Sequence, residues 1–164
     1  MSKFTTDRHL EAQFADEIRR ILADSFIKQD VTADLSEATD FAIFTVKPFK
    51  VAVRLRRYDY FHAFKDEFTL RWSRPSGVPT EIHKIRQKLV NYFLYGFLDK
   101  PETHIIHYRI FDLARFTDPV PNEIRKNDPP DSELAIYRID QFPKEFTVIF
   151  HDETQLSRSL SDWL

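Results

Sequence analysis

The chain contains no cysteine, which excludes disulfides, thiolate zinc sites, iron–sulfur clusters and cysteine nucleophiles. Glycine occurs only twice and methionine once. No Gly-rich phosphate loop, Gly-x-Ser-x-Gly elbow or His-Glu-x-x-His is present, so P-loop hydrolysis, hydride transfer in a Rossmann domain and triad hydrolysis lack support. No apolar run approaches the roughly 20 residues that cross a bilayer. The segment from Met1 to His9 also lacks the apolar stretch of a signal peptide. A cytoplasmic protein with no membrane partner is therefore expected. The net charge of -2 gives no global pull toward nucleic acid, so any such binding must come from a local basic patch.

What is abundant is phenylalanine, with sixteen residues, in a chain that is 42% hydrophobic and 30% charged. So many aromatics on short segments predict a firmly packed core and argue against disorder. A length of 164 residues fits one domain that buries a core without staples.

Apolar Leu10, Phe14, Ile18, Ile21, Leu22 and Phe26 recur at helical spacing and predict a helix over 8–28, capped by Thr6 or Asp7. The acidic stretch 29–39 reads as a loop. Strands are predicted at 41–46 and 49–57, joined by Lys47-Pro48 in a gap short enough for an antiparallel hairpin. The aromatic segment 58–65 shows no clean period and reads as a connection. Residues 67–73 alternate, with Phe68, Leu70 and Trp72 on one side and Glu67, Thr69, Arg71 and Ser73 on the other.

After the turn at Pro75-Ser76-Gly77, a second helix is predicted from Thr80 with Ile82, Ile85 and Leu89 on one stripe. Strands at 92–98 and 104–111 and a short helix at 112–116 follow. Four prolines mark 117–132 as a surface loop or linker. A last strand-like segment runs from 145 to 150 and leads into a tail, within a C-terminal part spanning 133–164. The order α-β-β-β-α-β-β with a tail predicts an α+β fold, a mixed sheet flanked by helices.

Arg54 and Arg56 share one strand face by alternation, and Arg71 joins them if 67–73 is a neighbouring strand. Arg57, Arg74, Lys84 and Lys88 lie on nearby segments. Grouped arginines on a sheet face are costly unless they are paired or reserved for an anionic ligand. Such a face suits phosphates, with Tyr58, Tyr60 and Trp72 available to stack bases. Surface pairing of Arg54 and Arg56 with Asp66, Glu67 or Glu37 is the alternative.

The element order, with Asp40 at the mouth of the first strand and Arg54-Leu55-Arg56 on the second, resembles the PD-(D/E)XK nuclease-like superfamily over roughly residues 8–112. The chain also looks like small proteins encoded by phages and prophages. In that superfamily a helix glutamate, a strand aspartate and a Glu-x-Lys on the next strand hold Mg²⁺ and position the attacking water. The resemblance implies Glu17 and Asp40 as the catalytic acids. Arg54 and Arg56 stand where the Glu and Lys belong, and arginine neither ligates a cation nor acts as a base.

It follows that the metal site is lost, or that Asp40 is joined by other ligands such as Asp66 or Glu67. Asp40 also fits a plain turn before a strand, and Glu17 a solvated helix position. A two-residue turn at Lys47-Pro48 places Asp40 on the face opposite Arg54 and Arg56; a three-residue turn places them together. The functional expectations are thus a DNA- or RNA-binding protein on a degenerate nuclease scaffold, contacting phosphates through Arg54, Arg56, Arg71, Arg74 and Lys84. The alternatives are an active Mg²⁺-dependent nuclease, or a phage-encoded module that binds and inhibits a host protein.

Overall fold

The computed structural model describes residues 10–25, 49–126 and 132–153, and the structural statements below concern these. The protein is α+β, with helices on two separate sheets. A mixed four-stranded sheet has the order β1-β3-β4-β7, formed by β1 (Val51–Arg56), β3 (Tyr92–Leu98), β4 (Ile105–Asp112) and β7 (Thr147–Asp152). An antiparallel three-stranded sheet has the order β2-β6-β5, formed by β2 (Glu67–Ser73), β5 (Glu123–Lys126) and β6 (Glu133–Arg138). Helix α1 covers 10–25, α2 is the single turn Phe61–Phe64, and α3 is Glu81–Arg86.

Alternation on the strands of the first sheet builds two cores, one on each face. Leu94 and Leu98 of β3, Leu55 of β1 and Ile105 and Ile110 of β4 face outward. There Leu10, Phe14, Ile18 and Ile21 of α1 cover them with one helical stripe. Phe93, Tyr95 and Phe97 face inward with Phe111 and meet Phe68 and Leu70 of β2, Ala135 and Tyr137 of β6, and Ile82 and Ile85 of α3. The inner core is largely aromatic: Phe68 stacks on Tyr137 at 5.5 Å between centroids, and Phe111 on Phe146 at 4.8 Å. Eight of the sixteen phenylalanines lie in this core or pack against it.

β1 pairs in parallel with β3, Arg54 opposite Tyr95 and Arg56 opposite Phe97. The chain reaches β3 only after an excursion through β2 and α3. Gly96 of β3 makes room for the side chains of its neighbours, since a Cβ there would meet Leu55 of β1 at 3.1 Å and Ile105 of β4 at 3.2 Å. Gly77, at φ 68°, supplies the left-handed residue of the turn that carries the chain from β2 to α3, its N–H donating to the Arg74 carbonyl at 3.1 Å.

The helix predicted over 8–28 is present through its described part, and the strands at 49–57, 67–73, 92–98 and 104–111 are present within a residue or two. The predicted strand at 41–46 and its hairpin, the acidic loop, the Thr6 or Asp7 cap and the C-terminal tail lie outside the described residues. Three elements differ from expectation. Phe61–Phe64, inside the segment read as a connection, form the single turn α2. Residues 123–126, inside the proline-rich stretch read as a loop, form β5, and 133–138 form β6, which pairs with both β2 and β5. Strand β5 is exposed at every position, so it owes its form to the backbone pairing with β6 and not to any apolar pattern of its own. No described helix is long and apolar enough to cross a membrane.

Candidate functional site

Where β1 of one sheet comes alongside β2 of the other, a cleft of about 310 Å³ opens. Its lining includes Arg54 and Arg56 from β1, Arg71 from β2, Arg74 from the turn after it, and Lys84 from α3, with Glu11 and Glu81 as the carboxylates. The five cationic positions picked out by strand alternation and proximity in sequence thus meet around one space. Alternation explains the first two, because Ala52, Arg54 and Arg56 share one face of β1 while Val51, Val53 and Leu55 turn toward α1.

Glu81, the first residue of α3, organises the cleft. One carboxylate oxygen pairs with the Arg54 guanidinium, and the other accepts the backbone N–H of Arg71 at 2.9 Å. Helix α3 is held in place for this by Thr80, whose hydroxyl donates to the Trp72 carbonyl at 3.0 Å. Burial opposes ionisation of Glu81. The Arg54 charge, the Arg71 N–H and the Arg71 guanidinium outweigh it and hold the carboxyl below its ordinary value. Arg54, only 8% exposed, is therefore neutralised locally.

Arg56 is held differently. Its Nε donates to the Tyr95 hydroxyl at 3.0 Å and a terminal nitrogen to Thr69 Oγ1 at 2.5 Å. Both partners are neutral, so among the described residues the Arg56 charge meets no carboxylate. Lys84 is exposed and forms no ion pair among the described residues.

Arg56 also forms the wall of a second cleft of about 230 Å³, lined further by Tyr60, Phe64, Glu67, Thr69, Tyr95, Arg125 and Lys126. Its guanidinium lies 5.7 Å from the centre of the Tyr60 ring. Of the three aromatics expected to stack bases, Tyr60 alone lines this cleft. Tyr58 packs on Phe61 and His62, and Trp72 packs against the inner core beneath the Arg86 guanidinium.

The carboxylates tied to the nuclease resemblance are placed apart. Glu17 projects from α1 on the outer face of the first sheet and accepts the backbone N–H of Ile105 at 2.9 Å. Glu67 lies on the inner side in the second cleft, and Asp66 is exposed beside Arg109, at 3.5 Å. Asp40 lies outside the described residues. Glu17 and Glu67, on opposite sides of the first sheet, do not converge on one Mg²⁺, and no group of three His, Asp or Glu side chains suited to a metal occurs among the described residues.

The role of Glu81 was not legible in the sequence, because a glutamate three residues before Lys84 has the spacing of an ordinary helix-surface pair. The partners of Arg56 left a weak trace, since Thr69 and Arg71 share a face of β2 by alternation. No protein-family model matches the chain, and neither a curated protein nor a solved structure does.

Proposed function

We propose that the protein binds nucleic acid through the cleft between β1, β2 and α3, and that it does so without cleaving the strand. The observation that carries this reading is the convergence of Arg54, Arg56, Arg71, Arg74 and Lys84, from three separate segments, on one cleft. Guanidinium forks match phosphate oxygens in geometry as well as charge. Glu81 holds two of the five, Arg54 by its guanidinium and Arg71 by its backbone N–H. Arg56, Arg74 and Lys84 would carry the phosphate contacts. The scaffold reading taken from the nuclease resemblance stays part of this proposal, with arginine in place of the metal-binding glutamate and its lysine.

The experiment is binding of labelled single-stranded DNA, duplex DNA and RNA at 50 and 200 mM salt, with and without Mg²⁺, resolved on a gel. Three to five phosphate contacts predict a loss of affinity of roughly 20- to 130-fold for a single strand, and more for a duplex, across that salt range. The strand should remain intact in Mg²⁺. Cleavage abolished by Asp40→Ala would replace this reading with that of a metal-dependent nuclease, and the absence of salt-sensitive binding would remove both.

A further inference from the structure

We infer that the second cleft is a nucleobase subsite: it takes one unstacked base of a strand whose phosphates lie in the basic cleft, so the protein selects single-stranded over duplex nucleic acid. This rests on the phosphate-binding reading of the basic cleft and extends it.

The two clefts lie end to end along the same pair of strands and share one residue. Arg54 and Arg71 belong to the basic cleft; Arg56 lies in both, and Thr69 lies in the second. Moving two residues along each strand, about 7 Å, thus leads from one cleft into the other. Along that path the lining changes from one rich in cations, with two carboxylates among them, to aromatic rings with polar groups around them.

The second cleft has the features that a planar, partly polar ring requires. Tyr60 is 45% exposed where it lines the cleft, and Phe64 stands beside it with centroids 6.3 Å apart. Base–aromatic stacking is tolerant of sequence because every base has a π-face. Arg56 is fixed by the Tyr95 and Thr69 hydroxyls, which leaves the other N–H groups of its fork to donate to base oxygens or ring nitrogens. Glu67 supplies a carboxylate that accepts from exocyclic amino groups. Arg125 and Lys126 add cations beside the cleft, where the backbone of the strand would leave. At about 230 Å³ the space is smaller than the roughly 300–1,000 Å³ of drug-sized sites, which suits a single ring system and not a whole dinucleotide. A base inside a duplex is already stacked and paired, so only a single strand presents it without an unpairing cost.

The test compares an ordinary 12-nucleotide single strand with a strand of the same length built on abasic sugars, which keeps the phosphates and removes the bases. The full-length protein is titrated with both, and with the matching duplex, at 50 mM salt. The wild type should bind the ordinary strand about 5- to 100-fold more tightly than the abasic one, the range that base–aromatic stacking carries. Tyr60→Ala and Phe64→Ala should bring that ratio toward one. A wild-type ratio near one overturns the base subsite while leaving the phosphate cleft standing, and this result needs no variant to fold. A ratio unchanged by both substitutions also overturns it. Failure of both strands to bind in a salt-sensitive way removes the phosphate reading itself, and the base subsite with it.

Discussion

Glu81 holds Arg54 across the gap between the two sheets, pairing with its guanidinium through one oxygen while the other oxygen takes the Arg71 N–H. A single carboxylate on α3 thus ties an arginine of β1 to the backbone of β2. It lowers the positive charge of the cleft while fixing the cleft's shape. These two effects oppose each other, and a substitution at Glu81 separates them.

Glu81→Gln leaves Arg54, which is almost fully buried, without its counter-charge. Stability should fall by about 2 kcal/mol, since breaking such a pair strands a charge in a poorly solvated site. The cleft becomes more positive at the same time, so affinity for a DNA strand at low salt should rise several-fold. Urea denaturation and a binding titration on the same preparation check both. A parallel loss of stability and affinity would mean that Glu81 acts only by holding the fold.

His107 predicts a distinct pH dependence. Its ring is 1% exposed among Phe61, Phe97 and Phe150, with the Asp152 carboxylate 3.5 Å from Nδ1, and Arg109 and Asp66 nearby. Burial pushes its pKa down to about 4; Asp152 opposes the shift and Arg109 adds to it. The unfolded chain binds a proton near pH 6.5, so this contribution to stability is present above 6.5 and is lost as pH falls toward 4. Stability should drop by about 2 kcal/mol between pH 7 and pH 5, and His107→Leu should flatten much of that slope. Urea midpoints at the two pH values measure it. An equal slope in both proteins would assign the effect to other groups.

Tyr137 carries a buried hydroxyl with no hydrogen-bond partner among the described residues, and burial raises its pKa to about 12. Tyr137→Phe removes that unsatisfied group and keeps the ring that stacks on Phe68. Thermal unfolding should show stability unchanged or raised by about 1 kcal/mol. A loss of that size would reveal a partner for the hydroxyl that the structure does not show.

The parts of this structure legible from sequence are those governed by neighbours along the chain. Phe68 and Leu70, alternating with Thr69 and Arg71, announce β2, and Leu10, Phe14, Ile18 and Ile21 announce α1. Strand β6 escaped because Leu134, Ala135, Ile136 and Tyr137 are all buried and so show no alternation. Strand β5 escaped because its strand character comes from β6 alone. The parallel partnership of β1 with β3 likewise depends on an excursion of more than thirty residues, on which local pattern is silent.

The site follows the same division. Arg54 and Arg56 could be assigned to one face by counting residues, whereas the inward turn of Glu81 depends on where α3 docks against β2. Of Tyr58, Tyr60 and Trp72, Tyr60 lines the second cleft and the other two pack elsewhere, a tertiary fact with no signature in their spacing.

The most direct test of the phosphate cleft is the salt dependence of single-strand binding in wild type and in the double variant Arg74→Gln with Lys84→Gln. Both side chains line the cleft, and neither takes part in the Glu81–Arg54 pair; the thermal unfolding midpoint, read alongside, shows that the double variant is folded. Each lost phosphate contact removes about 0.7 from the slope of log affinity against log salt, so the slope should become shallower by about 1.4. An unchanged slope in a folded double variant would contradict the assignment of phosphates to this cleft.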